Sequence, residues 1–262
     1  MDFGLTGRTA VVMGASQGLG EASARQLAAE GAHVVLVARR EEALQAIKQS
    51  IEADGGSASV IVCDLFDSTA RQTLVETLQG LPRLDVLVAN SGGPAPGMAP
   101  GIDASIWTRE FDAMVLGLIQ VIDAAAVKMK ESGFGRILVI GSSGMVVPIP
   151  KLAVSNTLRS AVGGYVKTLA EQVASFGVTC NMVLPGRVET LRTQAIDQAT
   201  AKALGVSEEE ARARSIATIP AGRYGEPREF GAVVTFLASE QAGYITGSQI
   251  RVDGGAIRSI NA

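Results

Sequence analysis

Short apolar runs of strand length alternate along this chain with longer stretches whose apolar residues recur at helical spacing. The strand-like runs cover 9–13, 33–37, 57–62, 85–89, 135–140, 178–184 and 249–252. Between them, 19–30, 41–53, 68–79, 106–131, 155–176 and 228–239 carry the helical period. Continuous β-branched runs, as opposed to alternating ones, mark strands buried on both faces. Such strands joined by right-handed helical crossovers make a parallel sheet covered on both sides. The fold class predicted is α/β, a doubly wound parallel sheet with helices on both faces. No Pro/Ser-rich linker, repeat or low-complexity tract interrupts the 262 residues, so one domain is expected over 1–262. The longest segment outside the alternation is 187–227, with helical patches at 191–203 and 207–215. An insertion after a strand's carboxyl end is where a substrate loop sits.

Composition narrows the partners. Hydrophobic residues make up 47% and charged residues 19%, a globular balance. The net charge is −3 without long runs of either sign, so the basic excess that nucleic acid or an anionic membrane requires is missing. Cys63 and Cys180 lie in apolar runs and read as reduced core residues, and no Cys/His set has metal-ligand spacing. The sole histidine, His33, opens the second strand and reads as a surface residue. The most apolar long stretch, 113–127, is interrupted by Gln120 and Asp123, and the first residues lack a signal-peptide pattern. These features predict a cytoplasmic protein.

The first strand runs into Gly14-Ala15-Ser16-Gln17-Gly18-Leu19-Gly20, and a helix follows at once. Glycines there permit a sharp turn, close approach of the backbone to a pyrophosphate, and tight strand–helix packing. The helix N-terminus then presents free N–H groups to the phosphates. This is the dinucleotide turn of a Rossmann fold. The end of the second strand selects the dinucleotide. An NAD site places a carboxylate there for the ribose 2′-hydroxyl, whereas this chain reads Val37-Ala38-Arg39-Arg40. Arg39 and Arg40 suit a 2′-phosphate, so NADP(H) is favoured over NAD(H).

At this point the chain resembles the short-chain dehydrogenase/reductase family over essentially its whole length, and its 3-oxoacyl-carrier-protein reductase-like members in particular. Asp64 and Leu65 resemble the acidic dipeptide beside the adenine. Asn90-Ser91-Gly92 resembles the turn after the fourth strand, and Ser142 the catalytic serine after the fifth. Pro185-Gly186-Arg187-Val188-Glu189-Thr190 resembles the segment beside the nicotinamide, and 244–255 the family's carboxyl end. The resemblance therefore implies cofactor contacts from Gly14, Ser16, Gln17, Gly18, Leu19, Gly20, Arg39, Arg40, Asp64, Leu65, Asn90, Ser91, Gly92, Arg159, Pro185, Gly186, Val188 and Thr190. It also implies a homotetramer built through helices at 106–131 and 155–176 and the carboxyl end.

The catalytic pattern departs from the family. The family places Tyr thirteen residues after the serine and Lys four further on, plus an Asn on the preceding helix. Here Ser155 and Arg159 occupy the first two positions and Met114 the third. Tyr165 is ten residues beyond Ser155, rotated about 80° around the helix and about 15 Å along it. Tyr224 and Tyr244 belong to other segments, and Lys151, four residues before Ser155, reads as a solvated side chain. A serine hydroxyl is far less acidic than a phenol, and a guanidinium stays protonated, so Ser155 and Arg159 polarise and stabilise charge without relaying a proton. Ser155 also reads as a helix N-cap. Two functions are consistent with these residues. One is an oxidoreductase acting on a small-molecule carbonyl or hydroxyl substrate through Ser142, Ser155 and Arg159. The other is an NADP(H)-binding sensor or non-catalytic subunit.

Overall fold

A computed structural model describes residues 2–260. Seven strands, β1 (Thr9–Met13), β2 (His33–Ala38), β3 (Ser57–Val62), β4 (Val86–Ala89), β5 (Gly135–Ile140), β6 (Val178–Pro185) and β7 (Gln249–Val252), form one sheet. Their order is β3-β2-β1-β4-β5-β6-β7, and every pair is parallel. The order reverses between β1 and β4, the switch point outside which ligands bind in doubly wound sheets.

The helices are α1 (Gly18–Ala29), α2 (Glu41–Ala53), α3 (Ser68–Gly80), α4 (Ala104–Phe111), α5 (Gly117–Ser132), α6 (Ala153–Val173), α7 (Leu191–Leu204), α8 (Glu208–Ile216) and α9 (Pro227–Ala238). Successive strand residues point to opposite faces, so β1 serves two cores. Val11 and Met13 pack with Leu74, Met129 and Val162 on the face of α3, α5 and α6. Val12 packs with Leu27, Leu44 and Phe230 on the face of α1, α2 and α9. Among the described residues no helix is long and apolar enough to cross a membrane. Cys63 and Cys180 are buried and unpaired, and burial pushes the Cys180 thiol up to about 12. His33 sits at the sheet rim, its ring nitrogens 2.7 Å from Ser57 Oγ and 3.0 Å from Ser59 Oγ.

Two expectations change. The stretch 106–131 is not one helix: a π turn at Asp112–Leu116 separates α4 from α5. Arg71 from α3 explains the widening. Its Nη1 donates to Asp112 Oδ2 at 2.8 Å, and a Cβ on Gly117 would come within 2.8 Å of its Cδ. Ser155 is not an N-cap either. α6 begins at Ala153 behind Leu152, so Ser155 lies inside the first turn, 5% exposed.

Candidate dinucleotide site and active site

The glycine turn is built by steric necessity. Gly14 and Gly18 have φ of +64° and +61°, a region in which a side chain is strained. A Cβ on Gly14 would strike Asn90 Nδ2, and one on Gly20 would strike the carbonyl oxygen of Gly14. The turn delivers α1 with Gln17 as an N-cap that provides no side-chain bond, so first-turn N–H groups and the positive helix end face outward. A Cβ on Gly18 would stand 3.4 Å from Thr190 Cγ2, so Thr190 forms the opposite wall of the groove. Thr190 itself caps α7, its Oγ1 accepting from Thr193 N at 3.3 Å.

β2 ends at Ala38 without a carboxylate, and Arg40 folds back over the turn. Its Nη2 donates to Gln17 Oε1 at 2.7 Å, to the Ser16 carbonyl at 3.0 Å and to Ser16 Oγ at 3.3 Å. Arg39 and Arg40 are both exposed, and neither joins an ion pair among the described residues. A cradle that any Cβ would fill, flanked by unpaired guanidinium groups, suits a dinucleotide carrying a 2′-phosphate.

The other residues expected at the cofactor are placed as follows. Asn90 abuts Gly14, and Ser91 is 8% exposed with its Oγ buried and without a partner. Asp64 Oδ1 accepts from Phe66 N at 3.1 Å, and the Leu65 carbonyl accepts from Arg71 Nη1 at 2.6 Å. Pro185 and Gly186 join β6 to β7: Pro185 pairs with Val252, and Gly186 N donates to the Val252 carbonyl at 2.9 Å. A Cβ on Gly186 would lie 2.6 Å from Asp253 Cα, so packing alone requires that glycine. Val188 is buried and bridges to Gly225. Leu19, Gly20 and Gly92 contribute main chain at the turn and after β4.

Beyond β5, Ser142 Oγ accepts from Gly144 N at 3.0 Å and starts a single 3₁₀ turn. Arg159 reaches under this loop. Nη1 donates to the Ile140 carbonyl at 3.0 Å, and Nη2 to the carbonyls of Ser91 and Gly92 at 3.3 and 3.4 Å. It thus ties α6 to the carboxyl ends of β4 and β5. Burial first, then the Arg192 charge, lower its pKa to about 10, so it remains cationic at neutral pH. Met114, inside the π turn, lines a narrow cleft with Ser91, Ile140, Arg159 and Met182.

The tyrosines are committed elsewhere. Tyr165 donates to Asp123 on α5. Tyr224, beyond α8, is 2% exposed and donates to Asp197 Oδ1 at 2.9 Å, which ties it to α7. Tyr244 stands fully in solvent. Lys151 is exposed, with φ of +61° and a carbonyl that accepts from Gly97 N at 2.7 Å.

Sequence reasoning passed over Arg192 and Asn156. A Cβ on Gly93 would lie 2.7 Å from Arg192 Nη2, which places that guanidinium beside the Arg159 segment. Asn156 donates to the Ile149 carbonyl at 3.0 Å, and its buried Oδ1 has no partner. Its position next to Ser155 was the available signal. For Arg192 it was a lone cation at the start of the predicted substrate helix.

Comparison with known proteins agrees with this geometry. The model of the family described as enoyl-(acyl carrier protein) reductase matches residues 14–256. The chain is 34% identical over 256 residues to the NADPH-dependent reductase BacG of Bacillus subtilis, covering 97% of this chain and 99% of that protein. It is 32% identical to the 3-oxoacyl-(acyl-carrier-protein) reductase FabG of Escherichia coli, covering 95% and 97%. The L-sorbose reductase of Gluconobacter frateurii, solved with NADPH and L-sorbose, superposes with a TM-score of 0.93 at 27% identity, covering 99% and 100%. With the parallel sheet, the glycine turn and the Ser142 loop in the family's order, the chain belongs to the short-chain dehydrogenase/reductase family.

Proposed function

We propose that this protein is an NADP(H)-dependent oxidoreductase that transfers hydride to or from a carbonyl/hydroxyl substrate without a phenolic acid. The observation that carries the cofactor choice is Arg40 folded over the Ser16–Gln17 turn beside a strand end without a carboxylate. NADPH, when bound, supplies the hydride that the carbonyl carbon receives. Gly14, Ser16, Gln17, Gly18, Leu19 and Gly20 hold its pyrophosphate, Arg39 and Arg40 its 2′-phosphate, and Asp64, Leu65, Asn90, Ser91, Gly92, Pro185, Gly186, Val188 and Thr190 the remainder. Ser142 and Ser155 donate hydrogen bonds to the carbonyl oxygen. The Arg159 cation stabilises the developing alkoxide electrostatically, and solvent water delivers the final proton. Losing a positioned general acid slows such a step by about 10²–10⁴-fold, so slow turnover is expected.

Named relatives act on 3-oxoacyl groups and on L-sorbose, and a 3-oxoacyl or other ketone substrate follows from them. The α7–α8 segment covers the substrate, with Leu191, Ile196, Leu204 and Ile216 as its apolar positions. A homotetramer in the cytoplasm completes the proposal. Exposed Phe111, Leu116, Val127 and Phe176 on and beside α4–α5 support association, and unpaired buried thiols suit a reducing compartment.

Two measurements test the reading. Calorimetry compares NADPH with NADH, and absorbance at the nicotinamide band follows NADPH oxidation with 3-oxoacyl thioesters, ketones and quinones. Binding of NADPH with oxidation by one class supports it. Tight binding with no oxidation by any class assigns the chain to nucleotide sensing instead.

A further inference from the structure

Two arginines converge on one short segment at the active-site edge. Arg159 holds the carbonyls of Ser91 and Gly92, and the Arg192 guanidinium, carried on α7, lies against Gly93. Among the described residues neither guanidinium pairs with a carboxylate. Like charges so placed repel, and the repulsion contributes to the lowered Arg159 pKa. Three carbonyl dipoles offset part of the Arg159 charge, but no carboxylate offsets the pair, so an arriving anion is favoured.

Two sources could supply such an anion, the dinucleotide's pyrophosphate and a carboxylate on the substrate. The geometry separates them. The pyrophosphate turn at Gly18 meets Thr190, whereas Arg192, two residues on, extends away from it to Gly93. Gly93 follows the Ser91–Gly92 segment, whose carbonyls Arg159 holds together with that of Ile140, two residues before Ser142, so the Arg192 fork lies toward the Ser142 side of the groove. α7 also belongs to the insertion that covers the substrate, and Arg192 is exposed at its first turn. A planar fork with paired donors matches a carboxylate bidentately.

We propose that Arg192 is a specificity-determining residue that binds the carboxylate of an anionic substrate, an oxo acid, with Arg159 reinforcing the positive field. The proposal rests on the reading of the site as an NADP(H) oxidoreductase and deepens it by naming the substrate class.

The test uses full-length protein loaded with NADP⁺, so no hydride transfer occurs during the measurement. Levulinate and 2-oxobutanoate are titrated by calorimetry against their methyl esters. The acids are expected to bind about ten- to hundredfold more tightly than the esters. Arg192→Gln removes that preference and leaves NADP⁺ affinity unchanged, while Arg192→Lys retains part of it as a point charge. Equal binding of acid and ester, no binding of either, or a loss of NADP⁺ affinity in Arg192→Gln equal to the loss for acids overturns the proposal. Acid preference without NADPH oxidation of any carbonyl compound leaves the anion site standing and overturns the oxidoreductase reading instead.

Discussion

The Nη1 atom of Arg159 donates to the carbonyl oxygen of Ile140 at 3.0 Å, fastening the first turns of α6 to the carboxyl end of β5. The same side chain spans to the segment after β4 through the carbonyls of Ser91 and Gly92, so one guanidinium links the carboxyl ends of both strands. Arg159→Met leaves three carbonyls without a donor. Removing it is expected to lower stability by about 1–3 kcal/mol, measured by urea unfolding. Turnover should fall further than that loss explains, because the charge at the developing alkoxide disappears.

The rate should respond to pH in an unusual way for this family. No tyrosine phenol faces the site, and the Arg159 guanidinium stays charged until about pH 10. Reduction at saturating NADPH is therefore expected to be flat from about pH 6 to 9, with decline only as Arg159 loses its proton. A titration near neutrality in the kcat profile would reveal a proton donor other than water.

The proposed function gives Arg40 the phosphate discrimination. Arg40→Ala is expected to weaken NADPH by about ten- to hundredfold while changing NADH little, read by calorimetry. Equal losses for both nucleotides would remove Arg40 from the 2′-phosphate. Arg39→Asp should act in the same direction, since it adds repulsion to the lost attraction.

The proposed function gives the Ser142 hydroxyl a hydrogen bond to the substrate oxygen. Ser142→Ala is expected to lower kcat by about 10²-fold with a smaller change in KM, as for the loss of one donor to a developing oxyanion. Gly144 N loses its acceptor in this variant, so unfolding by urea should be measured alongside to keep the two effects apart.

Arg223 and Glu229 form a paired fork before and within α9, at 2.7 and 2.6 Å, and Glu229 Oε2 also accepts from Glu226 N. The Arg223 hydrogen bond, then that main-chain bond, hold the Glu229 carboxyl at about 2, below its ordinary 4.5. A depressed carboxyl stabilises the fold above its ordinary pKa and loses that effect as pH falls toward 2. Wild type and Glu229→Gln should accordingly differ in urea midpoint at pH 5 and converge near pH 2.

Much of the architecture was legible because its signals are local. Strand runs at 9–13, 57–62, 135–140 and 249–252 match β1, β3, β5 and β7 residue for residue. Buried parallel strands must be continuously apolar, and the glycine turn must lack side chains, whatever the rest of the chain does. The π turn was not legible, since its cause is Arg71, 41 residues from Asp112. Ser155 looked like a cap by type, but Leu152 and the strained Lys151 set where α6 begins.

Set against the family's pattern, the sequence by itself reads Ser155 and Arg159 at the spacing of the tyrosine and the lysine. Tertiary structure decided what that exchange leaves behind. It bonded Arg159 to the carbonyl at the end of β5 and to two in the loop after β4, locked Tyr224 onto Asp197 and brought Arg192 to Gly93. Local pattern fixes which groups exist. Their partners come from segments far apart in the chain that meet only when the sheet and its loops close.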